Sequence, residues 1–252
     1  MLFQTQLPDW VLNYFEPGLW WATSVLFFVM GVFILKKMKE NDAAKQFMSG
    51  LISFAFLFGL ARAIENIRKY FIASSRMDIL EGWIGSGPLI SGPNLVLRIA
   101  YYAISWTGIS LFYYFAEKYV FKQKYIFTAA AVGEGIVSIL MYFGFPDNAM
   151  VILLGFASFG FLFAAVIPVI LYLRLGFKNP GLLGRASFIA GIGLALFATG
   201  VMTDLPQSSF VIYLVQGAPL DPFLISIFAP ILAIIGAVMI YYAYQNMFKN
   251  WV

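Results

Sequence analysis

Four charged residues in one hydrophobic stretch recur at the spacing of a helical face. Arg62, Glu65, Arg68 and Lys69 are related by steps of three and four residues, with Asn66 beside them. Because an α-helix turns once in 3.6 residues, the four fall on about a third of the circumference, with Asn66 at its edge. Guanidinium groups pair with carboxylates and phosphates through parallel hydrogen bonds. The spacing therefore predicts a cationic helix face suited to binding anionic groups.

The opposite face of the same predicted helix is apolar and carries Leu60, Ile64 and Ile67. Charges inside a membrane helix usually face the bundle interior or a water-filled cavity, because charges that face lipid are costly. Counting about 1.5 Å per residue from Lys45 puts Arg62 roughly 25 Å across the bilayer. We therefore expect the charged face to point inward, within the outer leaflet.

Arg98 begins the next hydrophobic segment at a comparable depth. Together with Arg62 and Arg68 it would form a cationic pocket that opens to the outer side and that Glu65 partly neutralises. The predicted ligand is anionic or zwitterionic, such as a carboxylate, a phosphate or a lipid headgroup. Trp106 is a candidate for the pocket wall, although aromatic residues also occupy core and interface positions. The structural alternative is that helix two projects beyond the bilayer and its charges pair with acidic residues of the outer loops, namely Glu81, Asp147 and Asp204.

Glu134 is a second candidate for chemistry, near the middle of the fourth predicted helix and between Gly133 and Gly135. A lone carboxyl group in hydrocarbon is costly unless it is paired or protonated. Its flanking glycines would let a neighbouring helix approach closely. Glu134 is therefore either a proton or cation site, a counter-charge to an arginine, or a protonated carboxyl that only hydrogen-bonds to a neighbour.

The composition excludes several classes of chemistry. The chain has no cysteine and no histidine, which removes disulfides, thiolate chemistry, iron–sulfur clusters and histidine-ligated haem, copper or di-iron centres. No nucleophile–base pair and no cluster of metal-binding carboxylates stands out. We therefore expect neither an enzyme nor a cofactor or metal site, and we expect no nucleic-acid partner because no basic cluster is left over.

The same composition indicates an integral membrane protein. Hydrophobic residues make up 62% of the 252 residues and charged residues only 11%. A soluble domain carries about 25% charged residues, so this chain has too little polar material for a water-facing surface. The expected fold is all-α, a single domain over residues 1–252 and multi-pass in the cell membrane.

Seven segments satisfy the requirement of a membrane helix for about 20 mostly apolar residues. They cover residues 18–35, 46–73, 94–116, 125–144, 149–173, 182–203 and 222–248.

The basic residues predict the orientation of these spans. Eleven of the 16 lysines and arginines lie on one side by parity. Short loops rich in Lys and Arg face the cytoplasm, so the N-terminus is predicted outside and the C-terminus inside. The eleven are Lys36, Lys37, Lys39, Lys45, Lys118, Lys122, Lys124, Arg174, Lys178, Arg185 and Lys249.

Two outer connections are longer than a turn. Residues 74–93 carry Trp83 and two Ser-Gly-Pro sequences, which are turn signals. Residues 204–221 enclose the run Phe210 to Val215, which we interpret as a strand or an interfacial flap over the outer mouth.

The stretch from Gly31 to Tyr70 resembles uncharacterised archaeal seven-helix sensor-like membrane proteins. It contains an apolar helix that ends in Lys36-Lys37-Met38-Lys39, followed by a Phe-rich helix that closes with Gly59-Leu60-Ala61-Arg62, and it covers about a sixth of the chain. The resemblance implies a sensor-like bundle of seven helices.

The predicted topology also resembles that of microbial rhodopsins, and the segment from Arg98 to Tyr102 is similar to the arginine-led start of their third helix. There is no lysine between Asp221 and Phe248, however, so no retinal Schiff base can form in helix seven. The carboxylate expected shortly after the arginine is replaced by Tyr101. The resemblance therefore implies a chromophore-free architecture.

Three hypotheses follow. The leading one is a sensor or receptor-like protein that binds a small or lipidic ligand from the outer side through Arg62, Glu65, Arg68, Arg98 and Trp106, with a protein partner at the cytoplasmic loops. The second is a small transporter or channel with Glu134 as its coupling site. The third is a structural subunit of a membrane complex, in contact with lipids and another membrane chain.

Overall fold

The computed structural model describes residues 14–38, 45–72, 92–121, 124–140, 142, 160, 166–179, 181–204 and 227–249. Within these residues all regular secondary structure is helical, as the sequence predicts, with seven α-helices. In chain order they are α1 (Glu16–Met38), α2 (Lys45–Ile67), α3 (Gly92–Ala116), α4 (Ile126–Leu140), α5 (166–178), α6 (Leu182–Asp204) and α7 (Ala229–Lys249). Two π-helical turns continue α2 and α3, over Arg68–Ile72 and Glu117–Phe121.

Five of the helices are long and apolar enough to cross a membrane. They are the helices at Glu16–Met38, Met48–Ile72, Gly92–Tyr119, Gly184–Thr203 and Ala229–Met247, while Ile126–Leu140 is apolar but shorter. These five agree with a multi-pass membrane protein. The count of seven spans and the direction of the chain across the bilayer remain predictions.

The outer surface of the bundle is apolar, as a lipid-facing surface requires. Val96 is 64% exposed, Val25 57% and Ile136 54%, although all three lie within helices. Arginines and glutamates are instead among the most deeply buried side chains of the described residues. This inversion of the soluble pattern places the polar chemistry inside the bundle.

Helices α6 and α7 form the most extensive helix pair, followed by α2 with α3 and α1 with α2. Glycines bring α6 and α7 together, because a Cβ atom on Gly193 would lie 2.9 Å from the carbonyl oxygen of Gly236. Such close backbone approach at small residues is typical of membrane helices.

Four phenylalanines fill the interior where α1, α2 and α6 meet. The ring centroids of Phe27 and Phe58 lie 4.9 Å apart, and both rings contact Phe197 at 5.3 and 5.1 Å. Phe54 completes the cluster at 5.5 Å from Phe58. The cluster fixes α1 and α6 against α2, the helix that carries the charges.

A buried carboxylate holds the start of α4 against the end of α3. Glu117 accepts hydrogen bonds from the backbone N–H of Phe127 at 2.7 Å and from that of Thr128 at 3.0 Å. It also accepts one from the hydroxyl of Thr128 at 2.5 Å. The first N–H groups of a helix lack partners within the helix, and a carboxylate there is favourable. Glu117 therefore fixes the helix that carries Glu134.

Pro230 lies in the first turn of α7, since the α-helix begins at Ala229. A proline is well tolerated there because the first N–H groups have no partner within the helix. Pro168 lies within α5, of which the structure describes residues 166–178.

Candidate functional site

The charged face of α2 points into the bundle, as its spacing predicts. Arg62, Glu65 and Asn66 are each 1% exposed, whereas Leu60 on the opposite face is 43% exposed and Ile67 is 40% exposed. The helical period thus determines which side chains meet the interior, because lipid accepts the apolar face and rejects the charged one.

Two arginines share the carboxylate of Glu65. Arg68 donates from Nε and Nη2 to the two Glu65 oxygens, at 2.9 Å each. Arg98 on α3 donates from Nη1 to Oε1 of the same carboxylate. Arg68, 0% exposed, also donates to the Asn94 side chain at 2.8 Å. We call Arg68, Glu65 and Arg98 the Arg–Glu–Arg triad.

The other partners of Arg98 are uncharged. Its Nε donates to the Tyr142 hydroxyl at 3.1 Å, and its Nη2 donates to the Tyr102 hydroxyl at 3.3 Å. The guanidinium carbon also lies 5.0 Å from the centre of the Tyr102 ring, within cation–π range. Over the described residues, the ion pairs of the triad therefore involve two cations and one anion.

Among the described residues the triad carries one buried positive charge in excess, and such an excess is costly in a medium of low dielectric. Tyrosine hydroxyls and ring faces reduce that cost, but they bring no negative charge. A bound anion would do so. The arrangement of the triad is therefore suited to receiving one carboxylate or phosphate oxygen beside Glu65.

Arg62 lies one helical turn further into the bundle, stacked on an aromatic ring. Its guanidinium carbon is 3.7 Å from the centre of the Trp20 ring, and its Nη1 donates to the Tyr101 hydroxyl at 3.4 Å. The buried amide of Asn66 and the indole N–H of Trp20 have no hydrogen-bond partner in the described part of the chain. Buried polar groups of this kind are rare and usually have a function or bind a water or ligand.

A carboxylate on α1 lies at the same end of the bundle. Glu16 is 2% exposed and accepts a hydrogen bond from the Tyr70 hydroxyl at 3.0 Å. Tyr70 belongs to the π-helical turn that also carries Arg68 and Lys69. This contact joins the start of α1 to the end of α2.

A cavity adjoins the arginines along α3. The centre of a water-sized sphere can move through about 90 Å³ of this cavity. Residues of α2, α3, α5, α6 and α7 line it. Tyr101 and Tyr102 belong both to this wall and to the arginine contacts. Trp106 lies in the wall of the cavity and not beside the charges. Four of the five predicted ligand-binding residues therefore lie at the same end of the bundle, namely Arg62, Glu65, Arg68 and Arg98. The fifth, Trp106, lies in the wall of the adjoining cavity.

Glu134 lies apart from the triad. It is 5% exposed and has no hydrogen bond or ion pair within the described residues. Its carboxyl group lies against Gly160, so closely that a side chain at position 160 would displace it. The adjacent Gly135 packs on Trp106, since a Cβ there would lie 2.8 Å from the Trp106 Cβ. Glu134 is therefore next to the cavity wall, on the side of the bundle formed by α4.

Sequence reasoning missed several partners of the arginines. Tyr101 and Tyr102 follow Arg98 by three and four residues, so helical spacing alone could have identified them. Asn94 bonds to Arg68 on the neighbouring helix, which spacing along α3 does not predict. Trp20 and Tyr142 are distant along the chain and carry no local signal.

The predicted turns and flap at residues 74–91 and 205–221 lie outside the described residues, as do Glu81 and Asp147. No group of three or more acidic residues that could hold a metal ion occurs in the described part of the chain. Comparisons with protein-family descriptions, with curated proteins and with solved structures found no match for this chain.

Proposed function

We propose that the protein is a sensor or receptor-like membrane protein that binds the anionic group of a small or lipidic ligand from the outer side. The observation that supports this most is the Arg–Glu–Arg triad, in which one carboxylate serves two buried arginines. The predicted arrangement of seven spans, with the N-terminus outside, puts the triad in the outer leaflet.

Glu65 would tune such a site. It fixes both guanidinium groups in place before the ligand arrives, so little side-chain entropy is lost on binding. It also cancels one of the two charges, which weakens the hold on the anion and makes release feasible. A third group, the buried Asn66 amide beside Glu65, could donate to or accept from a polar ligand atom.

Binding would be read out through α2 and α3. The triad joins these helices directly, so an anion that changes its geometry would change how the two pack. The basic loops that follow α1 and α3 are predicted to be cytoplasmic, and a partner protein there would receive the change.

Ligand-dependent stability tests the proposal. The protein in phosphatidylcholine nanodiscs would be unfolded thermally with and without inorganic phosphate or acetate, and native mass spectrometry would identify any anionic molecule that copurifies. We expect anion-dependent stabilisation that Arg98→Gln abolishes and the control Arg185→Gln, an exposed arginine of α6, retains. Equal stabilisation of wild type and Arg98→Gln would rule out the triad as the site.

A transporter is the second candidate, and the position of Glu134 supports it. A buried carboxyl group with no partner among the described residues, next to a cavity wall, is suited to binding and releasing a proton or cation. Proteoliposomes would be assayed for flux of protons, cations, sugars and organic anions. Flux that is lost in Glu134→Gln would favour transport, and absence of any flux would count against it.

A further inference from the structure

The cavity beside the triad has the shape and the lining of a site for one hydrocarbon chain. We propose that it holds the tail of a single-chain anionic amphiphile, such as a fatty acid or a single-chain isoprenoid phosphate, whose head lies at Arg98. The inference rests on the proposed anion site and adds the class of the ligand.

The length of the cavity follows from the residues that line it along α3. They extend from Tyr101 to Tyr113, and 12 residues of α-helix rise about 18 Å. Tyr101 and Tyr102 mark the end at the arginines. Tyr113 on α3, together with Tyr244 near the end of α7, marks the other end. The cavity thus leads from the charged site toward the opposite side of the bundle.

The width of the cavity fits one chain. Spread over about 18 Å, a space of 90 Å³ for the centre of a 1.4 Å sphere corresponds to a passage roughly 5 Å wide, and spread over about 10 Å, the rise of the lining from Leu51 to Phe58 on α2, to one roughly 6 Å wide. Nonbonded carbon atoms approach to about 3.5–4.0 Å, so a hydrocarbon chain needs a passage roughly 4 Å wide. Two chains side by side would need about twice that. A two-chain phospholipid therefore does not fit.

The lining favours hydrocarbon over water or a polar ligand. Phe54, Phe58, Phe112 and Phe197 contribute aromatic walls. The hydroxyls of Tyr244 and Tyr172 lie 2.5 Å apart and satisfy each other at the far end. Within the described lining, the Ser105 hydroxyl lacks a hydrogen-bond partner. Apolar cavities with so few polar groups bind apolar ligands in preference to water.

The head and the tail can be tested separately with a series of probes. The protein in phosphatidylcholine nanodiscs would be titrated with acetate, octanoate, hexadecanoate, hexadecanol and dipalmitoyl phosphatidic acid, with the unfolding midpoint as readout. We expect hexadecanoate to bind at least tenfold more tightly than octanoate, and hexadecanol and phosphatidic acid at least tenfold more weakly than hexadecanoate. Ala198→Phe, which fills the cavity, should abolish the dependence on chain length, and Ala130→Phe on the exposed face of α4 should leave it unchanged.

Quenching of Trp106 gives a direct measure that does not depend on filling the cavity. Hexadecanoate brominated at mid-chain should quench part of the tryptophan emission, and Trp106→Phe should remove that part. Absence of a Trp106 component would overturn the proposal, as would acetate stabilising the protein as strongly as hexadecanoate. Equal stabilisation by acetate and hexadecanoate would not contradict the proposed anion site. If hexadecanoate bound Arg98→Gln as well as wild type, with Trp106 still quenched, the proposed anion site would fall and the chain site would remain.

Discussion

At the scale of single residues, the effect of a substitution in the triad depends on which charge it removes, because the triad has two cations and one anion. Removing either arginine leaves Glu65 paired with the other, so Arg68→Gln and Arg98→Gln keep a neutral buried pair. Removing the carboxylate leaves two adjacent arginines without the anion that they share. Breaking a buried ion pair from one side costs about 3–5 kcal/mol, because the remaining charge loses its partner.

Glu65→Gln is therefore expected to destabilise the unliganded protein by about 3–5 kcal/mol and to increase its stabilisation by added phosphate or acetate. Arg68→Gln should show the opposite response to anions, with weaker stabilisation or none. Thermal unfolding of both variants over an anion titration measures the two effects, with Arg185→Gln as control. A loss of anion response in Glu65→Gln at temperatures where it is still folded would contradict the charge argument.

Glu117 is a buried acid with a structural task. Its three hydrogen bonds all go to the first turn of α4. We expect Glu117→Ala to lower the free energy of unfolding by about 1–3 kcal/mol, since it leaves two backbone N–H groups of that turn without their partner. Lys118→Ala, at the exposed neighbouring position, should change it little. Unfolding titrations in sodium dodecyl sulfate would compare them, and equal stability of the two variants would refute the role of Glu117 as a cap.

At the scale of helices, periodicity predicts more than motifs do. The inward orientation of the charged face of α2 follows from the 3.6-residue period and the cost of charge in lipid, and the structure confirms it. The bounds of the first, second, third and sixth helices agree with the prediction within three residues when the π-helical turn after α2 is included, whereas the seventh α-helix begins at Ala229 against a predicted start at residue 222. The stacking of Arg62 on Trp20 and the bond from Arg98 to Tyr142 could not be predicted, because they depend on how separate helices pack.

Helix packing also gives glycines that look alike in the sequence different roles. A Cβ atom on Gly236 would collide with the backbone of Phe197 and Gly193, whereas a Cβ on Gly133 would meet nothing within 4 Å. Gly236→Ala should therefore destabilise the α6–α7 pair by about 1–3 kcal/mol through overpacking. Gly133→Ala should be neutral or stabilising by about 0.5–1 kcal/mol, because alanine is the better helix former. Unfolding midpoints in one detergent decide this, and similar values for the two variants would refute the close approach.

At the scale of the whole molecule, the open question is whether α4 and α5 cross the bilayer. Within the described residues five helices are long enough to span, and the described part of α4 has 15 residues. If α4 and α5 formed a pair that enters and leaves on the cytoplasmic side, the chain would still put every basic loop inside. The distribution of lysines and arginines therefore cannot separate seven spans from five.

The connection between α4 and α5 does separate them, since seven spans put it outside and a re-entrant pair keeps it from reaching the outer side. The chain has no cysteine of its own, so a single introduced cysteine reports its location without any background. We expect Asn148→Cys to react with a membrane-impermeant maleimide in intact cells, as Gln207→Cys in the outer connection should, while Asn41→Cys should react only after lysis. Protection of Asn148→Cys in intact cells, with Gln207→Cys still labelled, would establish five spans and put Glu134 on a re-entrant helix. That result would leave Glu134 without a path across the bilayer along α4 and weaken the case for a coupling site there, whereas the triad on α2 and α3 would keep its predicted place near the outer side.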